Sequence, residues 1–284
     1  MSDRKASRTA LGAAYMRAVH QLFDAQPRIL DDPFALSLLA PTALQQISSP
    51  AYRYRITETR ALRAHIVLRS RFAEDRLAAA VRRGISQYII LGAGFDTFAL
   101  RQPSWAQTLK IFEVDHPGTQ AEKLSRLAAS GLSMPQNAHF VNIDFEHESL
   151  RDGLLRYHVR LDEPAFFSWL GVTMYLKEDA IDAVLRSVVS FPAGSEIVLT
   201  FAQLSEPELN SSNNSPSLLA SLVSSVGEPF LSFFEPDAIE TKLRNSGFPK
   251  VEFLSSAEAE TLYFRHRPND LPVPARTGIV CAVV

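Results

Sequence analysis

Short apolar runs alternate with helix-periodic stretches along most of this chain. Seven of the runs are rich in β-branched and aromatic residues and have the length of single strands: Gln87–Leu91, Leu109–Asp115, Ala138–Asp144, Pro164–Leu170, Glu196–Phe201, Val251–Ser255 and Thr277–Val284. Helical periodicity lies between the first five runs: at Phe98–Ala106, at Pro117–Ser130, in a short piece after Glu146, and at Glu178–Val189. This alternation predicts an α/β fold with a seven-stranded, mostly parallel sheet.

The pattern changes on both sides of the alternating core. We predict a single domain in four successive parts: a helical N-terminal cap at 1–85, a core of five strands at 86–204, an insertion at 205–234 and the C-terminal part of the sheet at 235–284. The insertion begins rich in Ser, Asn and Pro, and two interpretations stay open, a lid over a pocket or a plain surface loop. A predicted helix at Pro236–Ser246, with Gly247 after its end, returns the chain to the sheet.

Composition and charge narrow the class of protein. The chain has 46% hydrophobic residues and 29 basic against 31 acidic side chains, a net charge of −2 that suits a globular domain. A near-neutral chain has no general attraction to nucleic acid or to an anionic membrane, so we expect neither as a partner. The single cysteine, Cys281, lies in an apolar run and is expected to be a buried thiol. The polar N-terminus, without a long apolar stretch, predicts a cytoplasmic protein.

A glycine-containing turn follows the first predicted strand. Residues 91–97 read LGAGFDT, and Gly92 and Gly94 would let the backbone approach a ligand closely. The second strand ends at Asp115, about 20 residues further on, which is the separation at which a carboxylate binds ribose hydroxyls in nucleotide-binding folds. Asp115 is therefore the expected ribose ligand, with Glu113 as second choice.

The third position of the glycine pattern bears on which nucleotide binds. A dinucleotide fold has a third glycine so that a helix N-terminus can meet a pyrophosphate, whereas this chain has Thr97. S-adenosylmethionine has no phosphate and offers a ribose, an adenine and an amino-acid tail, so we expect it as the cofactor. Asp144 and Phe145 at the end of the third strand would flank adenine. Capping of the following turn is the alternative for Asp144.

A long helix is predicted before the first strand, from about Glu58 to Arg83, and it carries an arginine within its apolar stripe. Arg69 shares helical spacing with the apolar positions, whereas Arg71 turns towards solvent. A buried guanidinium needs an anionic partner. Either the carboxylate of the cofactor or a structural Asp or Glu would supply it.

Several motifs occur in an order that gives the chain a family resemblance. They are Arg69 with Asp75, LGAGFDT at 91–97, FEVDHP at 112–117 with Lys123 after it, VNID at 141–144, FSWLGVTMYL at 167–176 and GEP at 227–229. Together they resemble the leucine carboxyl methyltransferase-like family of S-adenosylmethionine-dependent methyltransferases, which includes the polyketide-synthesis O-methyltransferases. The resemblance covers nearly the whole chain. It implies the class I methyltransferase fold, with a Rossmann-like seven-stranded sheet.

The resemblance also implies a set of cofactor contacts. It assigns the methionine carboxylate to Arg69, the tail to Gly92 and Gly94, the ribose to Asp115, and adenine to Asp144 and Phe145. Position 170 departs from the family pattern. The leucine carboxyl methyltransferases carry a glutamate there that contacts the cofactor, whereas this chain has Leu170. That difference weakens the expectation of a strict leucine carboxyl substrate more than it affects the fold.

The expected reaction is an in-line methyl transfer to an oxygen. A carboxylate acceptor, with a pKa of about 4, is ionised at neutral pH and needs no base, whereas a phenol with a pKa of about 10 does. Tyr175 and Glu228 are the candidates for an assisting side chain, with packing or solvent exposure as the alternative for each. No spacing of His, Cys and carboxylates predicts a metal site.

We therefore predict an S-adenosylmethionine-dependent O-methyltransferase that methylates a carboxylate of a small molecule. A protein C-terminal carboxylate is the alternative acceptor within the same class. Two alternatives come from other classes. One is an NAD-dependent oxidoreductase, and the other is a non-enzymatic cofactor-binding protein, suggested by Leu170 and by the lack of an obvious base.

Overall fold

A computed structural model of the chain describes residues 6–49, 57, 59–145, 147–203 and 227–284. Within these ranges the strands form one seven-stranded sheet in the order β3-β2-β1-β4-β5-β7-β6. The strands are β1 Gln87–Leu91, β2 Lys110–Asp115, β3 Ala138–Asn142, β4 Phe166–Trp169, β5 Glu196–Thr200, β6 Lys250–Phe253 and β7 Ile279–Val283.

Strands β1 to β5 are parallel, and β7 lies antiparallel between β5 and β6. This is the strand arrangement of the class I methyltransferase fold, so the predicted fold is confirmed. All seven predicted strands are present, and β1 has its predicted bounds. The third strand ends at Asn142, earlier than predicted, so that Asp144 lies in the loop beyond the sheet.

Helices cover both faces of this sheet. They are α1 Arg8–Phe23, α2 Pro41–Ser48, α3 Arg60–Arg82, α4 Pro117–Ala129, α5 Leu150–Arg156, α6 Glu178–Val189, α7 Pro236–Ser246 and α8 Ser256–Ala259, with short 3-10 turns at Ser104–Ala106 and Thr173–Tyr175 and a π turn at Glu260–Phe264. Helices α6 and α7 have the predicted bounds. Gly247 ends α7 with φ 112°, a left-handed conformation that glycine adopts at little cost.

One predicted helix is wrong. Residues 98–106 form a series of turns that ends in the 3-10 turn Ser104–Ala106. Pro103 explains the difference, because the residue before a proline is disfavoured in the α conformation. The chain also turns at Asp96, whose Oδ1 accepts a hydrogen bond of 2.7 Å from the backbone N–H of Phe98.

The start of α3 differs from the prediction, and most of the predicted insertion lies outside the described residues. Helix α3 begins at Arg60 with Thr59 as N-cap, later than the predicted start at Glu58, which lies outside the described residues. Most of the predicted insertion, residues 205–226, also lies outside them. Its remainder, 227–234, is an irregular segment in which the Leu231 N–H donates to the Met174 carbonyl at 2.6 Å.

The core lies on both sides of the sheet, and all five residues of β1 are buried. One cluster packs the sheet against α6, and a second packs it against α3. A third cluster joins the helical cap to Phe95 in the glycine turn, which is 2% exposed. Because the cap packs against this turn, the carboxyl ends of β1, β2 and β4 face the N-terminal helices.

The predictions also concern the cysteine and the apolar character of the helices. Cys281 on β7 is buried, as expected, and burial raises its pKa well above the usual thiol value. No helix in the described ranges combines the length and the apolar character needed to cross a bilayer.

Candidate active site

The glycine turn after β1 lies at the carboxyl edge of the sheet, where parallel α/β folds bind their ligands. Gly92 and Gly94 have φ of 66° and 54°, a region that disfavours residues with a Cβ. A Cβ at Gly92 would overlap the side chain of Val172, and one at Gly94 would lie 3.1 Å from the Cβ of Ala10. The turn is therefore restricted to glycine by its conformation and by its close neighbours.

Asp115 lies directly beside this turn. Its Oδ2 accepts a hydrogen bond from the Gly94 N–H at 2.6 Å, and its Oδ1 accepts one from the His116 N–H at 2.6 Å. Burial raises the pKa of Asp115 above its usual value, although these two bonds act in the opposite direction. The structure thus brings the predicted ribose ligand and the predicted glycine turn into direct contact.

Asp144 and Phe145 lie next to Asp115, in the loop after β3. The Asp144 Oδ2 is 3.8 Å from Nε2 of His116 and 3.1 Å from Nδ1 of His147. Phe145 packs, partly buried, against the core beside the sheet. His116 also caps α4, because its Nδ1 accepts a hydrogen bond from the Gly118 N–H at 3.1 Å. His116 therefore links the ends of β2 and β3.

Arg69 reaches the end of β4 from the middle of α3. A Cβ at Gly171 would lie 2.5 Å and 2.7 Å from its two Nη atoms, so only glycine leaves room for the guanidinium. Gly171 has φ 75°, which also favours glycine. Leu170, the residue that replaces the family's glutamate, is partly buried against the core cluster beneath α3.

The electrostatic state of Arg69 differs from that of its neighbour Arg71. Burial lowers the pKa of Arg69 to about 10, although the fields of Tyr175 and Asp96 raise it in part. Among the described residues it forms no ion pair with a carboxylate. Arg71, by contrast, is 45% exposed and pairs with Asp75 at 2.9 Å. The predicted orientation of the two arginines is thus confirmed, and the described part of the chain supplies no anionic partner for the inner one.

Tyr175 lies at the end of the 3-10 turn after β4, between the cap and the 227–234 segment. Burial raises its pKa above the usual phenol value, although a hydrogen bond with Thr9 and the charge of Arg69 act in the opposite direction. Its ring packs edge-to-face on Phe230 with centroids 5.3 Å apart, and Phe230 packs on Phe233 at 5.9 Å. Tyr175 therefore joins a row of aromatic rings and keeps its proton at neutral pH.

Glu228 has both carboxylate oxygens occupied by the start of α1. Its Oε1 accepts from the Arg8 N–H at 2.7 Å, and its Oε2 accepts from the Thr9 N–H at 3.1 Å. The hydroxyls of Ser7 and Thr9 donate to Oε2 as well. Burial opposes ionisation, but these bonds together lower the pKa of Glu228. A carboxylate so engaged is a poor base, and a role for Glu228 in proton transfer stays a prediction that this geometry does not favour.

Glu113, the second choice for the ribose, has a different role. It is fully buried, and its Oε2 pairs with the Lys123 Nζ at 2.5 Å. Lys123 also donates to the Asp96 carbonyl at 2.6 Å, directly under the glycine turn. Lys123 lies with Gln120 and Leu127 on the buried face of α4, which faces the sheet.

Two residues of the cap, Arg17 and Asp32, brace the same turn. Arg17 on α1 donates from Nη2 to the Phe95 carbonyl. Asp32 is fully buried and accepts from the Thr97 hydroxyl at 2.6 Å. Three successive residues of the turn are thus held by buried side chains from three parts of the chain, counting Lys123 on Asp96. Such long-range contacts carry no local sequence signal.

Metal binding has no support in the described ranges, where no group of three or more His, Cys, Asp or Glu side chains could hold an ion. The site that the structure assembles is instead a glycine turn flanked by a carboxylate and by a guanidinium that no carboxylate of the described residues pairs. Those are the groups needed for a ligand with a sugar at one end and a carboxylate at the other.

Comparisons with known proteins identify the family and the fold. The sequence model of the leucine carboxyl methyltransferase family matches residues 10–189. A Bacillus subtilis (strain 168) protein named "Putative S-adenosyl-L-methionine-dependent methyltransferase YktD" is 32% identical over 292 residues, covering 95% of each chain. A Parafrankia sp. (strain EAN1pec) protein of the same type of name is 32% identical over 215 residues, covering 74% of this chain and 68% of its own. The crystal structure of a DUF574 family protein from Streptomyces avermitilis superposes with TM-score 0.56 at 15% identity, covering 96% and 95% of the two chains.

Proposed function

The chain belongs to the leucine carboxyl methyltransferase family, whose members use S-adenosylmethionine, and on that premise we propose that it methylates a carboxylate oxygen of a small molecule. The coarser activity, S-adenosylmethionine-dependent methyl transfer, follows from the family. Membership favours methyl transfer over the oxidoreductase and over a non-enzymatic binder. The nature of the acceptor is what we infer from the site.

The residues at the carboxyl edge fit the cofactor. The room that Gly171 leaves at the end of β4 holds a guanidinium that pairs with no carboxylate in the part of the chain that the structure describes, and a buried guanidinium is stabilised by a bidentate anion. In our assignment Arg69 would hold the methionine carboxylate, Gly92 and Gly94 would line the tail, Asp115 would bind the ribose, Asp144 and Phe145 would flank adenine, and Leu170 would contact the cofactor as an apolar wall. The bound cofactor would supply a methyl group on a positively charged sulfur.

The observation that carries the choice of acceptor is the set of hydrogen bonds that engages the carboxylate of Glu228 beside the site, and the direction of the Tyr175 pKa shift agrees with it. Tyr175 has a raised pKa and remains neutral at pH 7, and the carboxylate of Glu228 is engaged by Ser7, Arg8 and Thr9. Neither group is ready to remove a proton. A carboxylic acid acceptor arrives already ionised and needs only alignment and desolvation, whereas a phenol would require a base.

The acceptor side is apolar and aromatic. Tyr175, Phe230 and Phe233 form a row of edge-to-face rings, and this surface suits a small acceptor with an apolar body better than a polar peptide terminus. A protein C-terminal carboxylate is the second candidate, because the family name itself describes that type of acceptor. We place the reaction in the cytoplasm, where a buried thiol such as Cys281 stays reduced.

The test is the chemical stability of the methylated product. The protein is incubated with methyl-labelled S-adenosylmethionine and a whole-cell extract, and the small-molecule and protein fractions are then treated separately with mild base. A methyl ester releases the label as methanol, as we propose, whereas a methyl ether or N-methyl group retains it. Label that stays in base-stable products would overturn the carboxylate acceptor, and base-labile label in the protein fraction would favour the second candidate.

A further inference from the structure

The first turn of α1 lies across the carboxyl edge of the sheet. The Ser7 N–H donates to the Thr119 hydroxyl at 3.3 Å, which fixes it beside the end of β2. Ala10 lies against Gly94 after β1, with 3.1 Å between its Cβ and the position of a Cβ on the glycine. Thr9 bonds to Tyr175 after β4. Residues 7–10, which we call the strap, therefore cross the ends of three strands that form the proposed cofactor site.

Glu228, in the 227–234 segment, binds the strap through its carboxylate. Four donors converge on its carboxylate: the N–H groups of Arg8 and Thr9 and the hydroxyls of Ser7 and Thr9. The partners are separated by about 220 residues in sequence. Hydrogen bonds to an ionised carboxylate are the stronger kind, and a carboxylate at a helix N-terminus gains further from the exposed N–H groups.

The N-terminus of α1 does not need Glu228 as its cap. Ser7 already caps α1, because its hydroxyl accepts from the Ala10 N–H at 3.1 Å. Glu228 adds a second attachment, and it uses N–H groups that would otherwise face water. Ser7 thus caps the helix, and Glu228 fixes the position of its first residues.

We propose that Glu228 is a positioning residue that latches the strap over the bound cofactor and so sets how long the cofactor stays. The inference rests on the proposed cofactor site but not on the choice of acceptor. A ligand bound beside Gly94 would lie next to residues 7–10, which pack on that glycine through Ala10, and the bonds to Glu228 hold these residues in place.

The experiment measures dissociation of S-adenosylhomocysteine from the full-length protein by surface plasmon resonance. Glu228→Gln removes the charge and one acceptor, and we expect the dissociation rate to rise about tenfold, with a larger rise for Glu228→Ala. Thr9→Val removes one hydroxyl donor and keeps the backbone N–H, so its rise should be smaller.

Glu258→Gln is the matched control. Glu258 caps α8 beside the edge strand in a similar way, accepting from the Ser255 N–H at 2.9 Å and from its hydroxyl at 2.7 Å. Its loss should leave the dissociation rate unchanged. Thermal melting without ligand separates a latch from a residue that stabilises the whole fold. A latch variant should release the ligand faster while its melting temperature stays near that of the wild type.

Unchanged dissociation from folded Glu228→Gln and Thr9→Val proteins would overturn the latch. If Glu228→Ala fails to fold, the other two variants still decide the question. A wild-type protein that does not bind S-adenosylhomocysteine would refute the cofactor site itself. A faster dissociation together with base-stable products would support the latch and refute only the carboxylate acceptor.

Discussion

The two sides of the candidate site differ in how completely their polar groups are paired. On the β1–β2 side, Asp115 already accepts two backbone hydrogen bonds, and Lys123 holds the turn from below. On the β4 side, the Arg69 guanidinium lies against Gly171 with no carboxylate from the described residues. The first side is shaped in advance, whereas the second holds a desolvated charge that a ligand would pair. Loss of the buried support under the first side, Lys123, should therefore affect folding, whereas loss of Arg69 on the second side should affect affinity.

The largest expected effect breaks the support of the paired side. Lys123→Met leaves Glu113 as an uncompensated buried acid, and we expect a loss of about 3–5 kcal/mol in the free energy of unfolding. Glu113→Leu combined with Lys123→Met should recover most of that loss, because neither charge is then buried alone. Chemical denaturation of the single and double variants measures both values. A single variant as stable as the wild type would show that the pair does not brace the turn.

Removing the unpaired charge on the other side should act on affinity alone. We expect Arg69→Met to weaken S-adenosylhomocysteine binding by about 2–4 kcal/mol, because the ligand's carboxylate loses its bidentate partner. Melting temperature without ligand should not fall, since an unpaired buried charge has been removed. Calorimetry with Arg71→Met as the exposed control checks the result. Equal destabilisation with and without ligand would make Arg69 a structural residue.

A smaller loss of affinity is expected at the ribose end. Asp115→Ala should weaken cofactor binding by about 1–3 kcal/mol through lost hydrogen bonds, without unfolding the domain. Calorimetry on the purified variant measures the change. Affinity equal to that of the wild type would place the ribose elsewhere.

The smallest effect is expected from pH. The pKa of Tyr175 is raised above 10 and that of Glu228 is lowered below 4.5, so the phenol stays neutral and the carboxylate stays charged across neutral and mildly alkaline pH. With an ionised carboxylate acceptor, kcat should change by less than about twofold between about pH 7 and about pH 9. A rate that climbs about tenfold per pH unit would instead indicate an acceptor hydroxyl that must lose its proton.

Local patterns in the sequence predicted the elements that depend on local chemistry. Helix α7 begins at Pro236 and ends before Gly247, because proline suits a first turn and glycine a left-handed cap. The orientation of Arg69 followed from helical spacing. The helix predicted at Phe98–Ala106 does not form, because Pro103 disfavours the α conformation of the residue before it and periodicity alone does not register that constraint.

Contacts between distant parts of the chain were beyond the reach of these patterns. The attachment of Glu228 to residues 7–9 joins two segments that are about 220 residues apart, and no local pattern in either segment indicates it. Glu113 and Asp115 are two residues apart on one strand, and only the position of Lys123 on the next helix separates a buried ion pair from a candidate ligand. The sequence shows two carboxylates on one strand, but only tertiary packing distinguishes the buried ion-pair partner Glu113 from the candidate ligand Asp115.

The most direct test of the cofactor assignment is a crystal structure of the protein with S-adenosylhomocysteine. We predict that both Nη atoms of Arg69 lie about 3 Å from the ligand's carboxylate oxygens and that Asp115 accepts from the ribose hydroxyls. A ligand bound away from the glycine turn, or an Arg69 that pairs with a protein carboxylate while the ligand is bound, would contradict the account.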